Sequence, residues 1–235
     1  MTQDPARTFA RASKDLLRKF VPDSLLKMRD TIHLLGPEAG QTYAGLALLD
    51  LLGIRNANKR LVPQSARSFV FVCHGNIMRS AMAEFLMRQA LQETGLKQQV
   101  QVTSAGLHAC AGNQADIRAQ EASADLGISL TEHRAKPLTK EMVEEADCIL
   151  AMDFRNKAEL LMLYPKSREK IYMLSAYAEG PWQYREIPDP YLGDIETAQC
   201  SARQLRTCVR NLVSSLFPTL ARENRNTSDA RTVQC

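Results

Sequence analysis

The stretch Ser68-Phe69-Val70-Phe71-Val72-Cys73-His74-Gly75-Asn76-Ile77-Met78-Arg79-Ser80 decides the fold. Its first six residues form a short apolar run rich in valine and phenylalanine, the composition of a strand buried on both faces. A polar loop with Gly75 and Asn76 follows, and then a helical pattern that sets Met82, Phe85, Leu86 and Ala90 on one face. Strand, loop and helix in that order open an α/β sheet, and such sheets bind ligands at the carboxyl ends of their strands. The chemistry is therefore expected in the loop from Cys73 to Ser80. A cysteine there, followed by an arginine that opens a helix, lies under converging backbone N–H groups and the positive end of a helix dipole; it is expected to be a thiolate at neutral pH. Gly75 and Asn76 tolerate the left-handed backbone angles that an anion-cradling nest of N–H groups requires. Arg79 adds a planar fork for two phosphoryl oxygens, and Ser80 a hydroxyl that can hold the sulfur.

Downstream, Val100–Thr103 reads as a second strand, Gln114–Asp125 as a helix ended by Gly127, and Cys148–Met152 as a third strand after a helix begun near Thr139. Ile171–Leu174 makes a fourth strand. A last helix from about Glu196 to Phe217 carries Leu205, Cys208, Val209, Leu212 and Leu216 on its buried stripe, with Pro218 as terminator. Strands alternating with helices imply a three-layer α/β sandwich whose four-stranded parallel sheet is flanked by helices. Upstream, residues 6–53 read as helices punctuated by Pro22 and Gly36-Pro37, an N-terminal helical extension. Phe9, Leu16, Leu17 and Phe20 share one face, as do Leu25, Met28, Ile32 and Leu35 after Ser24 as N-cap. Glu38–Leu52 is apolar nearly all round, which predicts burial against another surface. The expected division is a basic helical extension and linker at 1–66, a catalytic domain at 67–220 and a disordered polar tail at 221–235.

The 235 residues, 45% apolar and 24% charged, suffice for one sizeable core with an appendage. No apolar run reaches the roughly 20 residues a bilayer demands. The first thirty residues lack the apolar core of a secretory leader, so a cytoplasmic protein is expected. Of the net charge of +4, residues 1–68 contribute 11 basic against 6 acidic side chains, and the rest 19 against 20. A nucleic-acid partner is not expected for a domain so balanced. For the basic helices of residues 7–35, docking on the domain is favoured over contact with an anionic membrane surface. Cysteines stand at 73, 110, 148, 200, 208 and 235 without a CxxC pair or a His/Cys cluster at metal-ligand spacing, so neither a disulfide framework nor a metal site is expected.

Phosphoryl transfer to a thiolate needs a proton for the departing oxygen, and a second loop, Ile187-Pro188-Asp189-Pro190-Tyr191, offers a carboxylic acid. The prolines stiffen the loop around Asp189, and Tyr191 can lie along an aromatic substrate. By itself Pro-Asp-Pro is more often a surface turn.

Taken in order, Val72-Cys73-His74-Gly75-Asn76-Ile77-Met78-Arg79-Ser80, Ser104-Ala105-Gly106, Gly127-Ile128 with His133-Arg134-Ala135, Ala151-Met152-Asp153 and Asp189-Pro190-Tyr191 make the chain resemble the low-molecular-weight protein-tyrosine phosphatases across about residues 67–217. The resemblance implies a two-step reaction through a cysteinyl-phosphate, with no metal and no organic cofactor. It assigns Cys73 as nucleophile, Arg79 as phosphate ligand and Asp189 as general acid and then base. The loop His74, Gly75, Asn76, Ile77, Met78, Arg79 and Ser80 becomes the phosphate cradle, though no catalytic role is expected of the His74 ring. Ser104 and His133 take the places that support the loop asparagine. The implied partner is a phosphotyrosine protein, a tyrosine kinase among the candidates. Three departures stand out. Met78 replaces a loop cysteine that often forms a protective disulfide with the nucleophile, so overoxidation of Cys73 is expected. Cys110 and Leu192 stand where aromatic residues often wall the cleft, which puts the preference for phosphotyrosine in question. Two alternatives remain: an arsenate reductase of the same fold, which needs a thiol relay that Phe154-Arg155-Asn156-Lys157-Ala158 does not provide, and a non-catalytic phosphate-binding scaffold.

Overall fold

The computed structural model describes residues 23–54 and 59–218. Four strands form one parallel sheet: β1 (Ser68–Cys73), β2 (Gln101–Gly106), β3 (Cys148–Ala151) and β4 (Ile171–Met173), in the order β2-β1-β3-β4. The helices are α1 (Asp23–Leu51), α2 (Arg79–Glu93), α3 (Ile117–Ala124), α4 (Lys140–Glu145), α5 (Phe154–Leu163) and α6 (Ile195–Leu216). β1 is central, pairing Phe69 with Val102 on one side and with Cys148 on the other.

The period-two rule of a strand explains the layering. Phe69, Phe71 and Cys73 enter a core shared with Met82 and Leu86 of α2 and Leu205 and Leu212 of α6. Val70 and Val72 enter a second core with Ile149, Phe154, Leu160 and Met173. Both faces are buried, and the three-layer α/β architecture expected from the sequence is present.

Several boundaries differ from the sequence reading. The second strand is Gln101–Gly106 and extends past Thr103, because parallel pairing with β1 holds Ser104, Ala105 and Gly106 despite their weak strand propensity. The helix expected from Gln114 starts at Ile117, where Asp116 caps it by accepting from the Arg118 N–H. The third and fourth strands end one residue early. Helix α5 was not anticipated. The first described helix begins at Asp23, so Ser24 lies inside it. Gly36 breaks its φ/ψ pattern at φ 76°, ψ −177°, ahead of Pro37, as the Gly-Pro punctuation indicated.

Tyr43, Leu46 and Ala47 of α1 pack on the second core, beside α5. Leu48, Leu51 and Leu52 stay exposed, so the apolar segment buries one side only. Val62 and Ala66, ahead of residue 67, are buried in the main core, and the Val62 N–H donates to the Tyr177 hydroxyl at 2.8 Å. The expected helix around residues 9–20 and the tail at 221–235 lie outside the described residues. Among the described residues no helix is long and apolar enough to cross a membrane.

Candidate active site

The carboxyl end of β1 delivers Cys73, buried, with its Sγ 3.0 Å from the Ser80 Oγ. Ser80 lies in the first turn of α2, and Met78, the residue before that helix, provides no side-chain cap. The opening amides of α2 are thus free to meet an anion beside the sulfur.

Asn76 shapes the loop. Its backbone is left-handed, φ 53°, as expected from its residue type. Its Nδ2 donates to Ser80 Oγ at 2.9 Å and to Ser104 Oγ at 2.8 Å, and its Oδ1 accepts from the Lys136 N–H at 3.0 Å. The His133 Nε2 lies 2.7 Å from the Asn76 carbonyl oxygen, so the ring donates from Nε2. Burial lowers the His133 pKa against the opposing pull of that hydrogen bond, which favours the neutral ring. The Ser104 hydroxyl in turn donates a hydrogen bond to Glu84 Oε2 at 2.5 Å, and Arg88 neutralises the other Glu84 oxygen at 2.7 Å. Gly106 of β2 packs against the loop so tightly that a Cβ there would stand 2.8 Å from the His74 carbonyl oxygen and 2.9 Å from the Asn76 nitrogen.

Arg79 is 2% exposed. Its Nη1 donates to Asp153 Oδ2 at 2.5 Å and to the Ile187 carbonyl at 3.0 Å, while Nη2 pairs with Asp189 Oδ2 at 2.8 Å. Burial alone would lower its pKa; Asp153 and Asp189 more than offset that, so the guanidinium is held charged. Asp189 is 47% exposed, at the mouth of the site. Its loop is tied down by Arg118, which donates to the carbonyls of Tyr191 and Gly193.

These groups surround a cleft of about 280 Å³, floored by Cys73, Gly75, Ile77, Met78 and Arg79 and walled by Asp189, Tyr191, His74, His108, Cys110 and Asn113. Leu192 does not line it: this side chain is 95% exposed, projecting from the turn after Tyr191 into solvent, which corrects its assignment to the cleft. The residues that sequence reasoning missed are Asp153, Glu84, Arg118, His108 and Asn113. Asp153 stood in a quoted motif, and an N-cap before helix formers was the available signal for its place. Nothing in the sequence pattern links the other four to the loop. The His74 ring, of which no catalytic role is expected, lies 4.6 Å from that of His108. Burial, then Arg155 and His108, lower its pKa and keep it neutral.

The family model described as low molecular weight phosphotyrosine protein phosphatase matches residues 68–226. The chain is 34% identical to a low molecular weight protein-tyrosine-phosphatase of Acinetobacter johnsonii, over 61% of this chain and 93% of that one. It is equally, 34%, identical to a protein-arginine-phosphatase of Bacillus subtilis, over 63% and 95% of the two chains. A solved arginine phosphatase, a cysteine-to-serine mutant with a phosphorylated active-site serine, superposes with a TM-score of 0.59 at 33% identity, covering 63% of this chain and 95% of its own.

Proposed function

The chain belongs to the low molecular weight phosphotyrosine protein phosphatase family, and on that premise we propose that it hydrolyses phosphotyrosine in a cytoplasmic protein through a cysteinyl-phosphate. The observation that carries the reading is the convergence of Cys73, Arg79 and Asp189 on one cleft.

The Cys73 thiolate attacks phosphorus in line with the leaving aryl oxygen, which departs with a proton from Asp189. Asp189, now a carboxylate, takes a proton from water as that water attacks phosphorus and the phosphorus–sulfur bond breaks. Inorganic phosphate leaves and the thiolate returns. Throughout, loop amides and Arg79 hold the phosphoryl oxygens. Arg79 must exchange its Asp189 pair for phosphate, while Asp153 and the Ile187 carbonyl keep its other nitrogen in place. That exchange also frees the Asp189 carboxylate to take up, from the incoming phosphate monoanion, the proton it then gives to the leaving oxygen. Ser80 donates to the sulfur and steadies the negative charge when cysteine is the leaving group. Tyr191, exposed on the wall, supplies a flat surface for an aryl ring in place of the residues Cys110 and Leu192 do not provide. Of the thiols an arsenate-reductase relay could draw on, Cys148 and Cys208 are buried and pushed up to about 12, and Cys110 is the described cysteine that shares the cleft wall with Cys73.

The test is hydrolysis of phosphotyrosine, phosphoserine and phosphoarginine peptides beside a generic aryl phosphate. The tyrosyl peptide should turn over, Cys73→Ser should abolish turnover, and Asp189→Asn should lower kcat by about 10² or more. Preference for phosphoarginine would move the substrate to that of the Bacillus relative's name. Silence on all four substrates would leave the scaffold reading.

A further inference from the structure

Three side chains far apart in sequence meet at the lip of the cleft. His74 follows β1, His108 follows β2, and Glu159 lies on α5. One potential ligand atom from each lies within 4.8 Å of the others. We propose that His74, His108 and Glu159 bind a single divalent transition cation of the zinc type.

The donor set is the first argument. Two imidazole nitrogens and one carboxylate oxygen suit Zn²⁺, Cu²⁺ or Ni²⁺, whereas Mg²⁺ and Ca²⁺ prefer oxygen ligands throughout. Bonds of the zinc type place neighbouring ligand atoms about 3.3 Å apart. The His108 Nε2 and Glu159 Oε2 already stand at 2.5 Å, and the half-exposed His108 ring has room to move.

Unmet valence is the second argument. The His74 Nδ1 is buried and has no hydrogen-bond partner among the described residues. Glu159 is a buried carboxylate on the cleft side of α5, and Arg155 contacts its Oε1 at 3.3 Å, leaving Oε2 toward the histidines. A partner on the remaining carboxylate oxygen is the usual way a protein orients a metal ligand. Arg155 also opposes a cation by its charge; at 31% exposure it can turn toward water. Three protein ligands leave a tetrahedral ion one open position. His74 and His108 both line the cleft, so an ion held between them would stand beside the path of the substrate.

Calorimetric titration with Zn²⁺ of the full chain carrying Cys73→Ser removes the nucleophile as a ligand and does not depend on activity. One equivalent should bind, and adding His108→Ala should weaken it at least 10-fold; Glu159→Gln, nearly isosteric, should do the same. Binding that survives both changes, or no binding without Cys73, would overturn the site. With Co²⁺ as probe, a visible ligand-field spectrum without a thiolate charge-transfer band is expected, and a strong thiolate band would place the ion on another cysteine and overturn it. In the unmodified chain the same occupancy should raise KM for an aryl phosphate, an effect reversed by chelator and lost in His108→Ala. That last consequence rests on the phosphatase reading; the titration does not, so the two can fail separately.

Discussion

Asn76 shows how much of the site hangs on one side chain. It holds a left-handed backbone while bonding Ser80, Ser104 and the Lys136 amide. Asn76→Ala should cost about 2–3 kcal/mol, from the strained backbone and from buried groups left unpaired. Asn76→Gly relieves the backbone and keeps only the loss of bonds. Denaturant unfolding of the two variants separates the terms, and both should lose at least 10-fold in kcat because Ser80 loses its orientation. Gly106→Ala tests the same loop from outside. Its Cβ would meet the His74 carbonyl and the Asn76 nitrogen at under 3.0 Å, so the loop must shift. Its turnover should fall with little change in far-ultraviolet dichroism, since the clash is with the loop and with the Ala109 Cβ and not with the strand ladder. Cys73, Asn76, Arg79 and Ser80 were legible because they lie in one short loop whose residue types declare their chemistry. Ser104 and His133 were legible only through a resemblance. Glu84, Asp153 and His108 were not, because each owes its role to a neighbour brought up by folding.

Among the elements, α5 binds architecture to chemistry most directly. Asp153 accepts from the Asn156 N–H at 2.7 Å as N-cap and spends its other oxygen on Arg79. Glu186 accepts from the Phe154 N–H at 2.8 Å at the same helix end. Burial, then the neighbouring Asp153, push the Glu186 pKa from 4.5 to about 7, with Asp50 adding to the rise and Arg79 opposing it. The folded chain therefore keeps a proton that the unfolded chain gives up between pH 4.5 and 7. Stability from this group is present below pH 4.5 and is lost as pH rises through about 7. The loss is roughly 3 kcal/mol at most. Glu186→Gln, which can still accept from Phe154, should flatten that slope in unfolding curves taken across the window. This helix escaped the sequence reading for a physical reason. Asn156, Lys157 and Glu159 are buried beside Phe154, Ala158 and Leu160, which erases the apolar stripe that marks a helix. The long helix α6 shows the opposite case, since every apolar residue of the expected stripe is buried.

For the whole molecule, the question is where the folded unit begins. Removal of residues 1–60 strips Tyr43, Leu46 and Ala47 from the second core and the Asp50–Arg185 pair at 3.6 Å, and leaves the sheet and both loops of the site intact. Such a truncation should unfold cooperatively at a lower Tm and retain turnover of an aryl phosphate. Removal of residues 1–66 also takes Val62 and Ala66 from the main core and the Val62 N–H from the Tyr177 hydroxyl, which keeps Ser215, for a further cost of about 2–4 kcal/mol. Calorimetric scans of both truncations measure that difference. The strand order β2-β1-β3-β4 has a last consequence, for biosynthesis. The strand that ends in Cys73 is the first of the sheet to leave the ribosome, yet both its partners are still to come, and the proposed general acid, Asp189, is translated later than all four strands. Leu205 and Leu212 then close the core from α6. A chain lacking α6 is therefore expected to expose its strand-end thiol without assembling the cleft, so that activity appears as one late event, once α6 has emerged and packed.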